Sequence, residues 1–489
     1  MAGKALIVVD PISTGGSVAV EAKNKGFSVI ACWTSDLTDD FRTHVPENAK
    51  GLKYTAQVEE KATVGETADA VKAAAKGLTI AAVIVGGESG VTLADHLSLE
   101  LGVRTNGIFP GGDRRNKSVQ QRAVKASGLR AVREALGRKW AEVEEFVSRE
   151  PMPVVVKPVE SAGSDGVKLC KSKDEAKAHF ELLMESQRKC GAQGAAVLCQ
   201  EFLKGKEYVV DCVSRDGVHK VLMIWVYDKR PTNGAAFVYY GMIPVDSKSQ
   251  EAKILIDYTL GVLKALKLDN GPTHGEVMMT MDGPCMVEMN CRSHGWDGAW
   301  VPLARKLTGG YAQPECAVDS HTDAAAFAKL PAVFPSPFKA AGQNVMLVSF
   351  FAGTVRATPG YDKMKKMPSF IALQTGVGVG SKVELTVDLF TAVGVLVLAH
   401  ADKAVLDADL AEVRSMEKAG LFLFDEEVDP MQFEPSPDTI QPAGRRRSSS
   451  FGETSVVATG VTPTQLYTTA ALALACGVIA GMVLGKKIV

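Results

Sequence analysis

Along the first hundred or so positions of the chain, short runs in which every residue is apolar alternate with stretches of helical periodicity. Residues 5–9 (ALIVV) form such a run and read as a strand buried on both faces, since a strand covered on one side only would alternate apolar with polar. A turn at Asp10-Pro11 with Gly15-Gly16 follows, then a helix over 17–25, a second strand over 27–33 (FSVIACW), a third over 80–85 and a helix over 91–101. This alternation predicts a doubly wound parallel α/β domain over residues 1–112. Small ligands of such sheets bind beyond the strand ends, so the turn Gly86-Gly87-Glu88-Ser89-Gly90 reads either as a substrate edge or as a plain strand-to-helix turn.

The pattern then changes. Residues 116–137 read as helical and basic, and Pro151-Met152-Pro153 breaks the chain before a strand over 154–157. Strands follow at 195–199, 207–213, 218–226, 235–238, 275–281 and 285–289, with a helix over 251–266 among them. The expectation is a mostly antiparallel α+β domain over 113–320, with a small lid subdomain at about 150–213. Strands at 345–350, 354–357 and 383–386 and a helix over 406–419 predict a further α+β domain over 321–430. The run TGVGVGSK (residues 375–382) lacks the GxxxxGK[ST] spacing of a phosphate loop and no helix follows it, so it reads as a turn between strands.

Residues 431–466 have the Pro, Ser, Thr, Gly and Gln content of a linker, interrupted by Arg445-Arg446-Arg447-Ser448-Ser449-Ser450. That run suits a basophilic kinase, contact with anionic lipid, or a plain solvated charge run. Residues 467–485 contain no charge, and a helix of that length spans about 28 Å, enough for a bilayer core. One transmembrane helix is therefore expected, with a tail-anchored arrangement that leaves the bulk of the chain facing the cytosol. Gly477, Gly481 and Gly485 fall on one helix face, which suits a homodimer packed through the membrane or reflects only the glycine content of such helices. The closing Lys486-Lys487-Ile488-Val489 resembles a dilysine retrieval signal, which works only on the cytosolic side, so the organelle stays open.

Charge narrows the partners. With 55 basic against 56 acidic residues, the chain has a formal charge of -1 and no electrostatic footprint for nucleic acid. Cys32, Cys170, Cys190, Cys199, Cys212, Cys285, Cys291, Cys316 and Cys476 are scattered without CxxC spacing, which argues against a disulfide framework or a zinc site and for a reducing compartment. The opening MAGKALIVVDP passes directly into a short strand and has no signal-peptide core.

Three segments carry candidate chemistry. In VVVKPVESAGSDGV (residues 154–167) a strand delivers Lys157 into a loop of small residues. There, backbone N–H groups and the hydroxyls of Ser161 and Ser164, with Gly163 between them, can close on phosphate oxygens. The alternative is an ordinary Ser/Gly hairpin. In QEFLKGKE (residues 200–207) a strand end crosses a turn into a new strand. Finally, Glu288 and Asn290 share one face of a strand, and the hairpin turn Asp282-Gly283-Pro284 can bring Glu276 beside them. Three oxygen ligands on neighbouring strands suit Mg²⁺ bridging phosphates, and Arg292 adds a planar donor fork. Two strand glutamates paired with lysines at a sheet surface would be the plainer reading of either alone.

Together, Lys117, the Lys157 loop, residues 200–207, Glu276 and Glu288-x-Asn290-x-Arg292 resemble the ATP-grasp superfamily over roughly residues 1–320. The 340–420 region and the loop VESAGSDGV are similar to L-amino-acid ligases and carnosine-synthase-like enzymes. The resemblance implies that Lys117 and Lys157 hold the phosphates of ATP and that Ser161, Gly163 and Ser164 cover them. Gln200 and Leu203 then meet the adenine and Glu207 the ribose. Glu276, Glu288 and Asn290 coordinate Mg²⁺ or Mn²⁺, and Arg292, with Lys157, steadies the transferred group. The implied reaction joins a small carboxylate to an amine, amino acids being candidate substrates, through an acyl-phosphate. A carboxylase-like or thiol-accepting enzyme, or an ATP-binding scaffold without turnover, is the alternative. Two departures from the family pattern stand out: Ser293-His294-Gly295-Trp296-Asp297-Gly298 replaces a glycine-rich turn, and Gln200 stands where an acidic residue is common. His274 and His294 are candidates for taking a proton from the amine, against the commoner role of a hydrogen-bonded structural histidine.

Overall fold

The computed structural model describes residues 3–159, 166–189 and 196–425. Ser161, Gly163 and Ser164, the linker and the 467–485 segment lie outside the described residues. Among the described residues, no helix is long and apolar enough to cross a membrane.

The N-terminal α/β expectation is met. Lys4–Val9, Ser28–Trp33, Ala56–Glu59 and Thr79–Val85 form a parallel sheet in the spatial order third, second, first, fourth. The first strand is buried on both faces. Ala5, Ile7 and Val9 pack with Leu93 and Leu97, while Leu6 and Val8 pack with Val18, Ala22, Ala317 and Val318. Ala56–Glu59 was not visible as a strand in the pattern, because it is a short edge strand in which only Val58 is buried. The helix Val64–Ala74 that follows it opens with a capping box at Thr63 and Glu66. The turns after the first and fourth strands cross at backbone contact: a Cβ on Gly86 would lie 2.4 Å from the Asp10 carbonyl oxygen.

The predicted helix over 116–137 is corrected. It runs only over Lys117–Ala126, starting on the Asn116 side-chain cap and ending where Gly128 turns left-handed at φ 82°. Glu134–Gly137 is instead the first strand of a small antiparallel sheet, whose spatial order continues with Val197–Glu201, Val154–Pro158 and Lys168–Cys170. Helices Trp140–Arg149 and Lys173–Lys189 cover one face through Val143, Val147 and Phe180. The small sheet therefore starts before residue 150 and ends at Glu201, and the strand Gly205–Arg215 belongs elsewhere.

That strand lies inside an antiparallel sheet of eight. In spatial order these are Gly283–Asn290, Gly271–Thr280, Gly205–Arg215, Val218–Thr232, Ala235–Pro244, Ala341–Leu347, Gly394–His400 and Phe370–Gln374. Strands from the region beyond 340 thus extend the central sheet edge to edge. The expected strand at 383–386 is reduced to Lys382–Val383, paired with Gly353–Ala357, and the TGVGVGSK run is a turn between strands as expected. Helix Gln250–Ala265 buries Ala252, Leu255, Val262 and Leu263 in the main core.

Candidate active site

The site lies in the cleft between the eight-stranded and the small sheet, which are joined by the connection Phe202-Leu203-Lys204. The close approach there requires glycine at 205, where a Cβ would fall 1.9 Å from the Met279 carbonyl oxygen. A cavity of about 360 Å³ fills the cleft. Lys117, Lys157, Gln200, Leu203, Glu207, Glu276, Glu288, Asn290 and Arg292 all line it. Every sequence-derived site residue among the described residues is therefore brought to one place.

Strand register explains the convergence. Glu276 pairs with Glu288 and with Val209, His274 pairs with Asn290 and Asp211, and Met278 pairs with Glu207. With a period of two along each strand, Glu207 and Asp211, His274 and Glu276, and Glu288 and Asn290 share one sheet face. The small sheet answers with the face turned away from its helices, where Val155 pairs with Gln200 and Lys157 with Leu198. Gln200 donates its amide to Glu134 at 2.6 Å. Helix Lys117–Ala126 is tied to the large sheet by Gln120, which bonds both the N–H and the carbonyl of Met289.

The charges are largely pre-paired. Lys117 Nζ lies 2.7 Å from Glu288 Oε2, and Lys229 Nζ lies 2.6 Å from Glu207 Oε2. Burial opposes ionisation of Glu288, but Lys117, Asn290 and Arg292 overcome it and hold the carboxyl at about 2. Burial likewise opposes the Lys117 charge, yet Glu288 keeps its pKa above the ordinary lysine value. Glu207 is pushed up by burial and by the nearby Glu276 and Glu288, against the pull of Lys229. Lys157 differs. It is 8% exposed, no ion pair holds it among the described residues, and burial followed by repulsion from Lys117 lowers it to about 8. A buried, unpaired ammonium facing a cavity is a site for an anion.

The oxygen donors fit a hard cation. Glu276, Glu288 and Asn290 provide carboxylate and amide oxygens on adjacent strands, the ligand type that Mg²⁺ and Mn²⁺ take. A second donor set lies behind them. Asp211, 0% exposed, accepts from Trp225 Nε1 at 2.8 Å and faces His274 Nδ1 at 3.1 Å and His294 Nδ1 at 3.0 Å. His274 Nε2 continues to Glu276 Oε1 at 3.2 Å. One ligand atom from each of Asp211, His274 and His294 lies within 4.8 Å of the others, a spacing open to a metal ion, but the Asp211 carboxylate is already engaged by three ring nitrogens.

The N-terminal sheet contributes from the other side. Its Gly86–Gly90 turn places Glu88 Oε2 3.1 Å from Arg292 Nε, so this turn does reach the cavity. Arg292 also donates to Asn290 Oδ1 at 3.1 Å. The unusual 293–298 segment adopts a strained path: Trp296 and Asp297 both have positive φ, at 58° and 46°. Such residues cost roughly 1–3 kcal/mol each and persist only where surroundings hold them. Here Ser13 Oγ accepts from the Asp297 N–H at 3.1 Å, and Thr14 and Trp300 both donate to the Gly295 carbonyl at 2.9 Å. The Trp296 ring is thereby stacked on Tyr227 at 6.1 Å, with Tyr239 at 6.4 Å completing an aromatic wall.

Comparison with known proteins decides what this cleft is. The ATP-grasp domain family matches residues 150–299. Dapdiamide A synthase of Enterobacter agglomerans is 30% identical over 350 residues, covering 69% of this chain and 80% of that protein. The chain belongs to the ATP-grasp family. It is an ADP-forming carboxylate–amine ligase, with ATP and a divalent cation, Mg²⁺ or Mn²⁺, as cofactors. Alanine–anticapsin ligase of Bacillus amyloliquefaciens is 22% identical over 43% of this chain and 47% of its own. The fold of the ligase matches that of an L-amino acid ligase from Bacillus licheniformis with a TM-score of 0.65, at 17% identity, over 85% of this chain and 98% of the other.

Several lining residues of the ligase were not singled out from sequence: Glu88, Tyr227, Lys229 and Tyr239. Glu88 lay in a turn read as a candidate substrate edge, and alternation along Val218–Thr232 would have placed Tyr227 and Lys229 on one strand face. Asp211 had no signal at all, since a lone aspartate in an apolar strand marks nothing until its partners are known.

Proposed function

We propose that this ligase activates a small carboxylic acid and joins it to the amine of an amino acid. The observation that carries the reading is the convergence of Lys117, Lys157, Glu276, Glu288, Asn290 and Arg292, from separate segments, on one cavity of about 360 Å³. In this reading Lys117 and Lys157 bind the phosphates of ATP, Gln200 and Leu203 face the adenine, and Glu207 the ribose. Glu276, Glu288 and Asn290 would hold the metal, which when bound would supply neutralisation of phosphate charge during transfer to the carboxylate. Lys117 and Glu288, paired at 2.7 Å, would each be available to a ligand of opposite charge, Lys117 to phosphate and Glu288 to the metal. Arg292 then braces the acyl-phosphate while the amine displaces phosphate. An amino-acid substrate is supported by the names of alanine–anticapsin ligase and L-amino acid ligase and by a cavity that sets Glu88 near Arg292.

The test is ADP release by the full chain across a panel of amino acids and small acids, with mass spectrometry of the product. An amide with matching ADP supports the reading. Bicarbonate-dependent turnover, a thioester product, or no turnover with any pair rejects it.

We also propose that residues 467–485 anchor the chain in a membrane with the ligase facing the cytosol, the three glycines of that segment allowing helix pairing. Retention in the membrane pellet after alkaline carbonate, lost on deletion of 467–485, is the expected result. Full release of the intact chain would end the proposal.

A further inference from the structure

We infer that Ser13 and Thr14 are positioning residues that hold Trp296 as a wall of the cavity and thereby select an amino-acid substrate with an apolar side chain. This rests on the carboxylate–amine ligase reading and adds to it the side chain that is accepted and the residues that set it. The contact behind it is one that local structure alone would not choose. Ser13 stands at the N-cap of helix Thr14–Asn24, where a serine hydroxyl ordinarily accepts from its own helix, yet among the described residues its side chain makes no cap bond. The hydroxyl accepts instead from the Asp297 N–H at 3.1 Å, across a sequence separation of 284 residues. Thr14 donates to the Gly295 carbonyl at 2.9 Å and to the His294 carbonyl beside it.

Both sides of this contact are strained. Ser13 has φ 48°, Trp296 58° and Asp297 46°, so three residues that carry a Cβ take left-handed backbone at one junction. Such conformations persist only where the surroundings over-determine them. Here the surroundings are the two hydroxyls and Trp300 Nε1, which shares the Gly295 carbonyl at 2.9 Å. What the strain secures is the ring of Trp296. It lines the cavity and lies within 15° of parallel to Tyr227, with Tyr239 edge-on to both. At the far end of the wall, Lys229 Nζ sits 4.4 Å from the centre of the Tyr239 ring and is itself fixed by Glu207. The wall is thus held at one edge by the large sheet and at the other by the first turn of the N-terminal sheet.

The chemistry of the wall decides what it takes. Three rings offer an apolar surface that gains from covering a branched or aromatic side chain. The Lys229 ammonium against Tyr239 disfavours a cationic one. Without the two hydroxyls the strained segment relaxes and fewer molecules hold the ring in place. The apparent affinity for the side chain then falls by the same factor.

The test is steady-state kinetics of the full chain, with an acid from the panel that supports turnover and with L-leucine, glycine or ATP varied in turn. The wild type should favour L-leucine over glycine. Ser13→Gly removes one hydroxyl while suiting the left-handed backbone, and Thr14→Val removes the other at nearly constant shape. Each should raise the KM for L-leucine about 10-fold and leave the KM values for glycine and ATP unchanged. Thr14→Ser, which keeps the hydroxyl, should behave as the wild type. In a Trp296→Ala background neither Ser13→Gly nor Thr14→Val should have a further effect on the L-leucine KM. A wild-type preference for glycine, an equal rise in all three KM values, a fall in kcat alone, additive losses with Trp296→Ala, or a loss with Thr14→Ser overturns the proposal. If neither variant folds, the wild-type chain still decides: L-leucine should slow amide hydrogen exchange over residues 295–298 and glycine should not, and equal slowing overturns it. Failure of the ligase reading looks different, since the wild type would then form ADP with no amino acid.

Discussion

The two sheets that enclose the cavity carry charge in opposite ways. On the large sheet the buried charges are met: Glu288 by Lys117, Glu207 by Lys229, and Asp211 by two imidazoles and an indole N–H. The small sheet offers the buried ammonium of Lys157, with no ion pair among the described residues. The comparison teaches that the charges of the large face are satisfied by one another, whereas the buried Lys157 ammonium is destabilising without a partnering anion.

Four experiments sharpen or break that contrast. The largest effect belongs to the large face: Asp211→Ala leaves the Nδ1 atoms of His274 and His294 and the Trp225 indole N–H without their partner in the core and should cost about 3–5 kcal/mol in denaturant unfolding. A loss below about 1 kcal/mol would mean the network is not a structural element. Next, Glu288→Ala should reduce ADP formation about 10²–10³-fold, because both the metal donor and the partner of Lys117 disappear. Wild-type turnover from that variant would remove the metal assignment.

The third effect reverses sign. Lys157 titrates at about 8 in the folded chain against an ordinary lysine value of 10.5, so the unfolded chain holds this proton more tightly. Its contribution to stability is therefore unfavourable below pH 8 and is relieved as pH rises from 8 towards 10.5. Lys157→Met should accordingly raise stability at pH 7 by about 1–3 kcal/mol while abolishing ATP turnover. A loss of stability would show that the lysine has a partner after all. The smallest effect is expected away from the cleft, at the exposed Lys403–Asp407 pair, where Lys403→Ala should change stability by no more than about 0.5 kcal/mol.

The contrast also shows what could be read in advance. Lys157, Glu276, Glu288, Asn290 and Arg292 were legible because strand alternation and the family resemblance both operate over a few neighbouring positions. Ala56–Glu59 and the strand Glu134–Gly137 were not, since an edge strand buries too little to leave a periodic mark. The extension of the central sheet by Ala341–Leu347 and Gly394–His400 was hidden for a different reason. A strand's pattern reports that one face is covered but does not name the neighbour that completes its hydrogen bonds.

From the linear order of residues alone came the β–α alternation at the start, the antiparallel strands beyond it, and a set of lysines, carboxylates, an asparagine and an arginine suited to a triphosphate and its metal. The pairing of Lys117 with Glu288, the arrival of Glu88 beside Arg292 and the hold of Ser13 and Thr14 on the backbone of residues 295–297 were decided only by the tertiary structure. These depend on distances between segments far apart in the chain, and such distances are set by how sheets and turns pack against one another.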